Sequence, residues 1–188
     1  MPYVPEPQKQ IQINRWVPYW TKILLSAGIP ANKLDLVLSQ IIHESNYFTS
    51  NAYLIDKNPS GITWNINYNK RPGASIGRKR PVKEGGNYVK FDTYENAAKD
   101  YARILNINTG YGRPIDSTNF VQYADLLKKN KFYTAKQADY TAGMKAAITR
   151  LKKWISLDKL LPTADEKKKI RRRSANNWFI RFFQFLRD

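Results

Sequence analysis

Residues 38–64 read LSQIIHESNYFTSNAYLIDKNPSGITW. The stretch opens as the end of an apolar helix and closes as a loop ending in Gly-Ile-Thr-Trp. Leu34, Val37, Leu38, Ile41 and Ile42 repeat at helical spacing and form one apolar face. Glu44 lies seven residues after Val37 and three after Ile41, so it falls at the end of that face. It also sits in the last helical turn, where the helix dipole disfavours negative charge. Partial burial and the dipole both push a carboxyl pKa upward. A carboxyl that stays protonated near neutrality suits a general acid. An acid at such an edge can equally serve a structural ion pair with a nearby Arg or Lys, and the helix pattern alone leaves both readings open.

Outward from this stretch, the pattern predicts a mainly helical chain with a small β-hairpin lobe. Residues 1–15 carry three prolines and no helical period, and are expected to form an extended arm. A helix is expected from about Tyr19 to Ala27, stopped by Gly28. The next opens near Pro30, with Asn32 as its N-cap, and runs to about Tyr47. Between Gly61 and Phe91 five glycines, many basic residues and two short β-like pieces, Ile62–Ile66 and Tyr88–Phe91, predict a hairpin-rich lobe. Helices resume after Thr93, a capping residue, then near Phe120–Lys129 and from about Asp139 to Trp154. The division expected is an arm over 1–15, a catalytic domain over 16–161 and a tail over 162–188.

Composition narrows the chemistry. The chain of 188 residues is 42% hydrophobic and 13% aromatic, with twelve Tyr and five Trp. It can bury a core and still offer flat amphipathic rings to a sugar. The net charge of +17 calls for an acidic partner: nucleic acid, anionic lipid or a bacterial wall polymer. With no cysteine, disulfides, thiol nucleophiles and Cys-based metal sites are excluded; one histidine argues against a His-rich metal site, and no cofactor is expected. His43 points about 100° away from Glu44 on the helix and reads as structural.

The stretch from His43 to Trp64 resembles the signature of the bacterial glucosaminidase family that includes flagellar muramidases and autolysins. Glu44, Ser45, Ser50, Asn58, Gly61 and Ile62 fall at the family's spacing. YVKFDTYENAAKDYARIL (88–105) and NKFYTAKQADYTAGMKAAI (130–148) resemble two later family segments. The resemblance covers about residues 16–152. Ser60 stands where the family has an aromatic residue, and Thr63 where it has lysine.

The resemblance implies a lysozyme-like α+β fold and hydrolysis of the β-1,4 bond after N-acetylglucosamine in peptidoglycan, with Glu44 as general acid. Glu84 in the hairpin lobe is expected as the second carboxylate. Asp92 and Glu95 are weaker candidates, because they read as acids complementing a helix N-terminus. The substrate's own acetamido group is the alternative nucleophile. Tyr133 is expected at the loop-tyrosine position, to hold the acetamido group or orient water, while Tyr140 is expected in the core. Ser50, Asn58, Gly61 and Trp64 are the expected substrate-binding positions, Trp64 by stacking on a sugar face. A lysozyme or lytic transglycosylase is the alternative enzyme, although no Gly-Leu-Met-Gln stretch follows the glutamate. A non-enzymatic wall-binding or virion structural protein is the alternative class.

The tail opens with a capping-box pattern, Thr163 with Glu166. Six basic residues follow within Lys167–Arg173, then NNWFIRFFQFLRD (176–188). That segment is too short for a membrane span, and it suggests a contact with a virion protein or a membrane interface. Its basic run would also suit nucleic acid, a reading not favoured over a solvated helix face. MPYVPEPQKQIQINRW (1–16) shows no secretory h-region. A phage product is therefore expected, either carried in the virion or held in the host cytoplasm until release to the wall.

Overall fold

The computed structural model describes residues 2–161 and Thr163. The chain divides into two units, Met1–Ser156 and Leu157–Asp188. The first contains α1 (Glu6–Ser26), α2 (Leu34–Glu44), α3 (Asn51–Leu54), β1 (Ala74–Lys79), β2 (Asn87–Phe91), α4 (Tyr94–Leu105), α5 (Phe120–Lys129) and α6 (Gln137–Trp154). In the second, the described residues form one short 3₁₀ turn, Leu157–Leu160. The fold is mainly α with a small β-hairpin lobe, as the sequence predicts.

α2 is the central helix. Every residue from Leu34 to Ile42 except Asp35 is buried, and a helix apolar nearly all round must be enclosed by others. α6 packs along α2 and α5, and α1 packs on α2 and α4. From α6, Met144, Ala147, Ile148 and Leu151 enter the core. Thr93 caps α4, accepting from the Asn96 amide at 3.1 Å. α5 spans the residues expected of it, and α6 begins two residues earlier than expected.

From Glu6 on, the expected extended arm is helix instead. α1 starts at Glu6 because Pro5 occupies the N-cap and Pro7 the first turn, where no intrahelical amide is needed. Ile13, Val17, Trp20 and Leu24 then form one buried stripe that continues through Pro18. The start of α2 also differs from expectation. A 3₁₀ turn, Ala31–Lys33, precedes it, and the N-cap is Lys33 rather than Asn32, without a side-chain bond.

The hairpin is likewise built differently. β2 pairs antiparallel with β1, Ala74 opposite Phe91 and Ile76 opposite Val89, with an irregularity before Lys79 meets Asn87. The expected first strand, Ile62–Ile66, supplies only one bridge, Thr63 to Tyr88. Buried Asp56 fixes the lobe to the helical body, through an ion pair with Arg78 at 3.0 Å and its carbonyl accepting from the Phe91 amide.

Candidate active site

Glu44 is the last residue of α2. The chain then reverses through three consecutive left-handed residues, Asn46, Tyr47 and Phe48, with φ of 50°, 58° and 62°. None is glycine, so each is sterically unfavourable, and the surroundings hold each one. Ser45 is fully buried and its Oγ accepts from the Phe48 amide at 2.9 Å. The Tyr47 amide reaches back to the Ile42 carbonyl at 2.8 Å. Phe48 is buried against Tyr53 and Trp16. The Lys9 ammonium and the Arg150 guanidinium both lie over the Tyr47 ring, 5.1 and 5.8 Å from its centroid, and both are bonded to Glu6. Asn46 Nδ2 donates to the Pro2 carbonyl at 3.0 Å.

This turn ends the helix with Glu44 half-buried against α6. The Tyr140 hydroxyl donates to Glu44 Oε1 at 2.6 Å. Gln40, four residues earlier and on the same face, is fully buried. Its Nε2 donates to the Tyr140 oxygen at 3.0 Å. Its Oε1 accepts from the hydroxyls of Tyr123, at 2.6 Å, and Tyr101. The network has one sense: a Tyr140 oxygen that accepts from Gln40 has its single proton left for Glu44. Oε1 is thereby occupied. Among the described residues Oε2 makes no hydrogen bond, and it is not sealed from solvent, which makes it the oxygen able to carry a transferable proton.

Desolvation raises the Glu44 pKa from 4.5 to about 7, and the Tyr140 hydrogen bond opposes the shift. Burial also pushes the Tyr140 phenol well up, so it remains a donor across the neutral range. His43 is pushed down by burial. Its ring stands edge-on to Tyr140 at 5.2 Å and close against Gly143 of α6, where an added Cβ would lie 2.3 Å from the imidazole.

The other expected residues are placed as follows. Tyr133 makes no hydrogen bond to Glu44: its ring stacks on Tyr140 at 3.7 Å and 5°, and its hydroxyl donates to the Ala124 carbonyl at 3.0 Å. The tyrosine touching the acid is Tyr140, which the sequence placed in the core. Asn58 is committed to the fold rather than to a ligand. Its Nδ2 donates to the carbonyls of Ile62 and Val89, and its Oδ1 accepts from the Ile62 amide. Ser50 caps α3, accepting from the Tyr53 amide at 3.2 Å. Gly61 adopts φ +64° at the turn that Asn58 closes, a conformation suited to glycine. Trp64 is half-buried beside Tyr68, with ring centroids 5.9 Å apart.

Glu84 lies in the β1–β2 turn, exposed and bonded to Arg80 at 2.6 Å. No bond joins it to Glu44. Asp56 and Asp100 are buried in ion pairs with Arg78 and Arg103. Glu95 accepts from the Tyr19 hydroxyl. Among the described residues, no group of three or more His, Cys, Asp or Glu could hold a metal ion.

Comparison with known proteins places the chain. Residues 17–153 match the Glucosaminidase family, described as mannosyl-glycoprotein endo-beta-N-acetylglucosaminidase. The chain belongs to this family. It is therefore a member of a family of glycoside hydrolases, and its matched region contains Glu44, Tyr140 and the hairpin lobe. A peptidoglycan hydrolase from Sphingomonas sp. A1 superposes with a TM-score of 0.57 at 21% identity, over 78% of this chain and 96% of that one. A mutant of that hydrolase gives 0.52 at 18% identity, over 77% and 97%. The catalytic domain of the autolysin Auto from Listeria monocytogenes gives 0.52 at 15% identity, over 82% and 91%. Identities this low establish the fold, which is lysozyme-like α+β. No curated protein sequence matches the chain.

Gln40, Tyr101 and Tyr123 escaped the sequence reading. Gln40 did leave a trace, as a polar residue four before Glu44 on an otherwise apolar helix. The tyrosines left none, because their spacing from Gln40 is tertiary.

Proposed function

We propose that the chain is a peptidoglycan hydrolase that cleaves the β-1,4 bond after N-acetylglucosamine, with Glu44 as general acid. The observation that carries the reading is the Glu44 carboxyl itself. It is half-buried, bound on one oxygen by Tyr140, and has its pKa raised to about 7. The protonated Oε2 gives its proton to the glycosidic oxygen as the bond to the anomeric carbon breaks. The carboxylate left behind gains strength in its bond from Tyr140, because hydrogen bonds to an ionised acceptor are the stronger ones. Tyr133, stacked on Tyr140, acts as a positioning residue.

The positive charge developing at the anomeric carbon needs a partner, which most glycosidases supply as a second carboxylate. Glu84 takes this role in our reading. Its one bond is to Arg80 in the same turn, so it can move onto substrate without disturbing the core. Asp56 and Asp100 would each have to leave a buried ion pair. Trp64 offers a half-buried ring for a sugar face.

The names of the structural neighbours, a peptidoglycan hydrolase, a mutant of it and an autolysin, support the substrate class. The net charge of +17 suits an anionic wall. A phage origin, in a lysin or a particle, remains a proposal from the sequence. The tail that suggested a particle or membrane contact lies, apart from Thr163, outside the described residues.

Digestion of purified peptidoglycan followed by mass spectrometry tests the reading. Reducing-end N-acetylglucosamine is expected. Reducing-end N-acetylmuramic acid would indicate a lysozyme, an anhydro-muramyl end a transglycosylase, and no cleavage a wall-binding protein.

A further inference from the structure

The 3₁₀ turn Ile66–Lys70 and the last turn of α4 enclose a cavity of about 420 Å³ lined by Asn65, Asn67, Tyr68, Lys70, Arg71 and Arg103. Beneath it lies Asp100, only 7% exposed. Asp100 Oδ1 accepts from Arg103 Nε at 2.8 Å and stands 4.0 Å from Arg71 Nε. One carboxylate thus faces two guanidiniums, and Lys70 adds a third cation with no ion-pair partner among the described residues. Three cations against one acid leave an excess of two positive charges on the wall of the cavity.

Both guanidiniums meet Asp100 through Nε. Neither makes a hydrogen bond to the protein from its terminal nitrogens among the described residues, and the two side chains remain 39% and 31% exposed. Those free edges are planar donor forks, the geometry that binds a carboxylate through two parallel hydrogen bonds. The asparagines add donors and acceptors of the amide type. Asn65 Oδ1 is taken by the Asn67 amide at 3.0 Å, its Nδ2 makes no hydrogen bond among the described residues, and the Asn67 side chain is exposed. A peptide linkage offers the Asn67 side-chain amide both an N–H donor and a C=O acceptor, whereas a phosphodiester linkage itself offers acceptors alone. The Tyr68 ring in the cavity wall packs beside Trp64, so the cavity adjoins the residue expected to stack on a sugar.

We propose that this cavity binds the peptide stem of peptidoglycan through a stem carboxylate, with Arg71, Arg103 and Lys70 as the anion site and Asn67 on the peptide backbone. The proposal rests on the wall-hydrolase reading and adds a second recognition element to it. A stem-bearing glycan is then held at two places, the sugar beside Glu44 and the stem over α4.

The test uses the full chain and the soluble tetrapeptide stem released from peptidoglycan by an amidase. Calorimetry or NMR titration should show saturable binding, weakened about tenfold by Lys70→Ala with Arg71→Ala, since a hydrogen bond to a charged group is worth at least that factor. Arg103 is spared because it covers buried Asp100. Lys70→Glu alone, at an exposed and unpaired position, should weaken binding in the same direction without lowering Tm. The double variant should raise KM on stem-bearing glycan and leave stem-free glycan unchanged. Equal binding of the tetrapeptide and its fully amidated form, or tighter binding of oligoglycerophosphate, would overturn the proposal. So would a double variant with wild-type affinity. Stem binding without glycan cleavage would preserve the cavity's role and remove the hydrolase reading. Cleavage with no stem binding would do the reverse.

Discussion

Glu44→Gln tests two consequences of the same burial. The amide keeps the shape and can still accept from Tyr140, but it has no acidic proton to give. Loss of a general acid costs about 10²–10⁴ in rate, so kcat on peptidoglycan should fall by that range. The second consequence is thermodynamic. The Glu44 pKa is raised from 4.5 to about 7, and at about 1.4 kcal/mol per unit this amounts to on the order of 3 kcal/mol. A carboxyl raised in the folded state favours folding fully below its unfolded pKa, and that contribution is lost as pH rises through 7. Wild type and variant should therefore have equal stability at about pH 4. By pH 9 the variant should be the more stable by about 3 kcal/mol, or roughly 6–12 °C in Tm for a chain of this size. Thermal melts from pH 4 to pH 9, paired with turnover of purified wall, measure both. Parallel Tm curves would show that Glu44 ionises without penalty in the folded protein, and turnover above a tenth of wild type would falsify its role as the acid.

Tyr140→Phe removes the bond that favours the ionised carboxylate, so the alkaline limb of the kcat/KM profile should move up by about one unit; an unmoved limb would detach Tyr140 from the titration of the acid. It also leaves buried Gln40 Nε2 without an acceptor, and a stability loss of about 1–3 kcal/mol is expected in denaturant melts. Glu84→Gln should reduce kcat at least a hundredfold with Tm unchanged, because its side chain is exposed and bonded within its own turn; near-normal kinetics would pass the role to the substrate's acetamido group. Gly143→Ala places a Cβ 2.3 Å from the His43 ring and should displace the imidazole from Tyr140, at a cost of about 1–3 kcal/mol; wild-type stability and activity would show that α2 and α6 are not held at this distance.

Much of the helical body was legible because its signals are local. Thr93 and the amphipathic stripes of α4 and α5 point to the right elements without reference to the rest of the chain. Glu44 was legible because a lone acid breaks an apolar face. The hairpin lobe and its second strand were legible, but the first strand was not: β1 reads ASIGRK, with Ile76 largely exposed, so it lacks the apolar alternation of a half-buried strand, and its pairing with Asn87–Phe91 fixes it instead. The first turns of α1 were hidden by prolines that are compatible with a helix start. The Tyr140 bond joins residues 96 apart in sequence, and only packing of α6 on α2 creates it.

The end of α2 shows why such a site resists a local reading. HESNYF (43–48) contains no glycine or proline, and its pattern continues the helix to about Tyr47. The chain instead stops at Glu44 and enters three left-handed residues, at a cost of about 1–3 kcal/mol each. What offsets that cost is distant. Phe48 is buried in the cluster of Trp16 and Tyr53, the Tyr47 ring lies under the Lys9 and Arg150 cations, and Asn46 is tied to the Pro2 carbonyl. Three of these partners, Pro2, Lys9 and Trp16, precede the family-matched region at residue 17. The segment that reads from sequence as a loose arm is therefore part of what ends the helix at its glutamate. Had α2 continued to Tyr47, Glu44 would be an interior residue of the helix, with the next turn of side chains packed beyond it. Ending the helix there leaves Oε2 without a hydrogen bond among the described residues, while Tyr140, itself held by Gln40, binds Oε1.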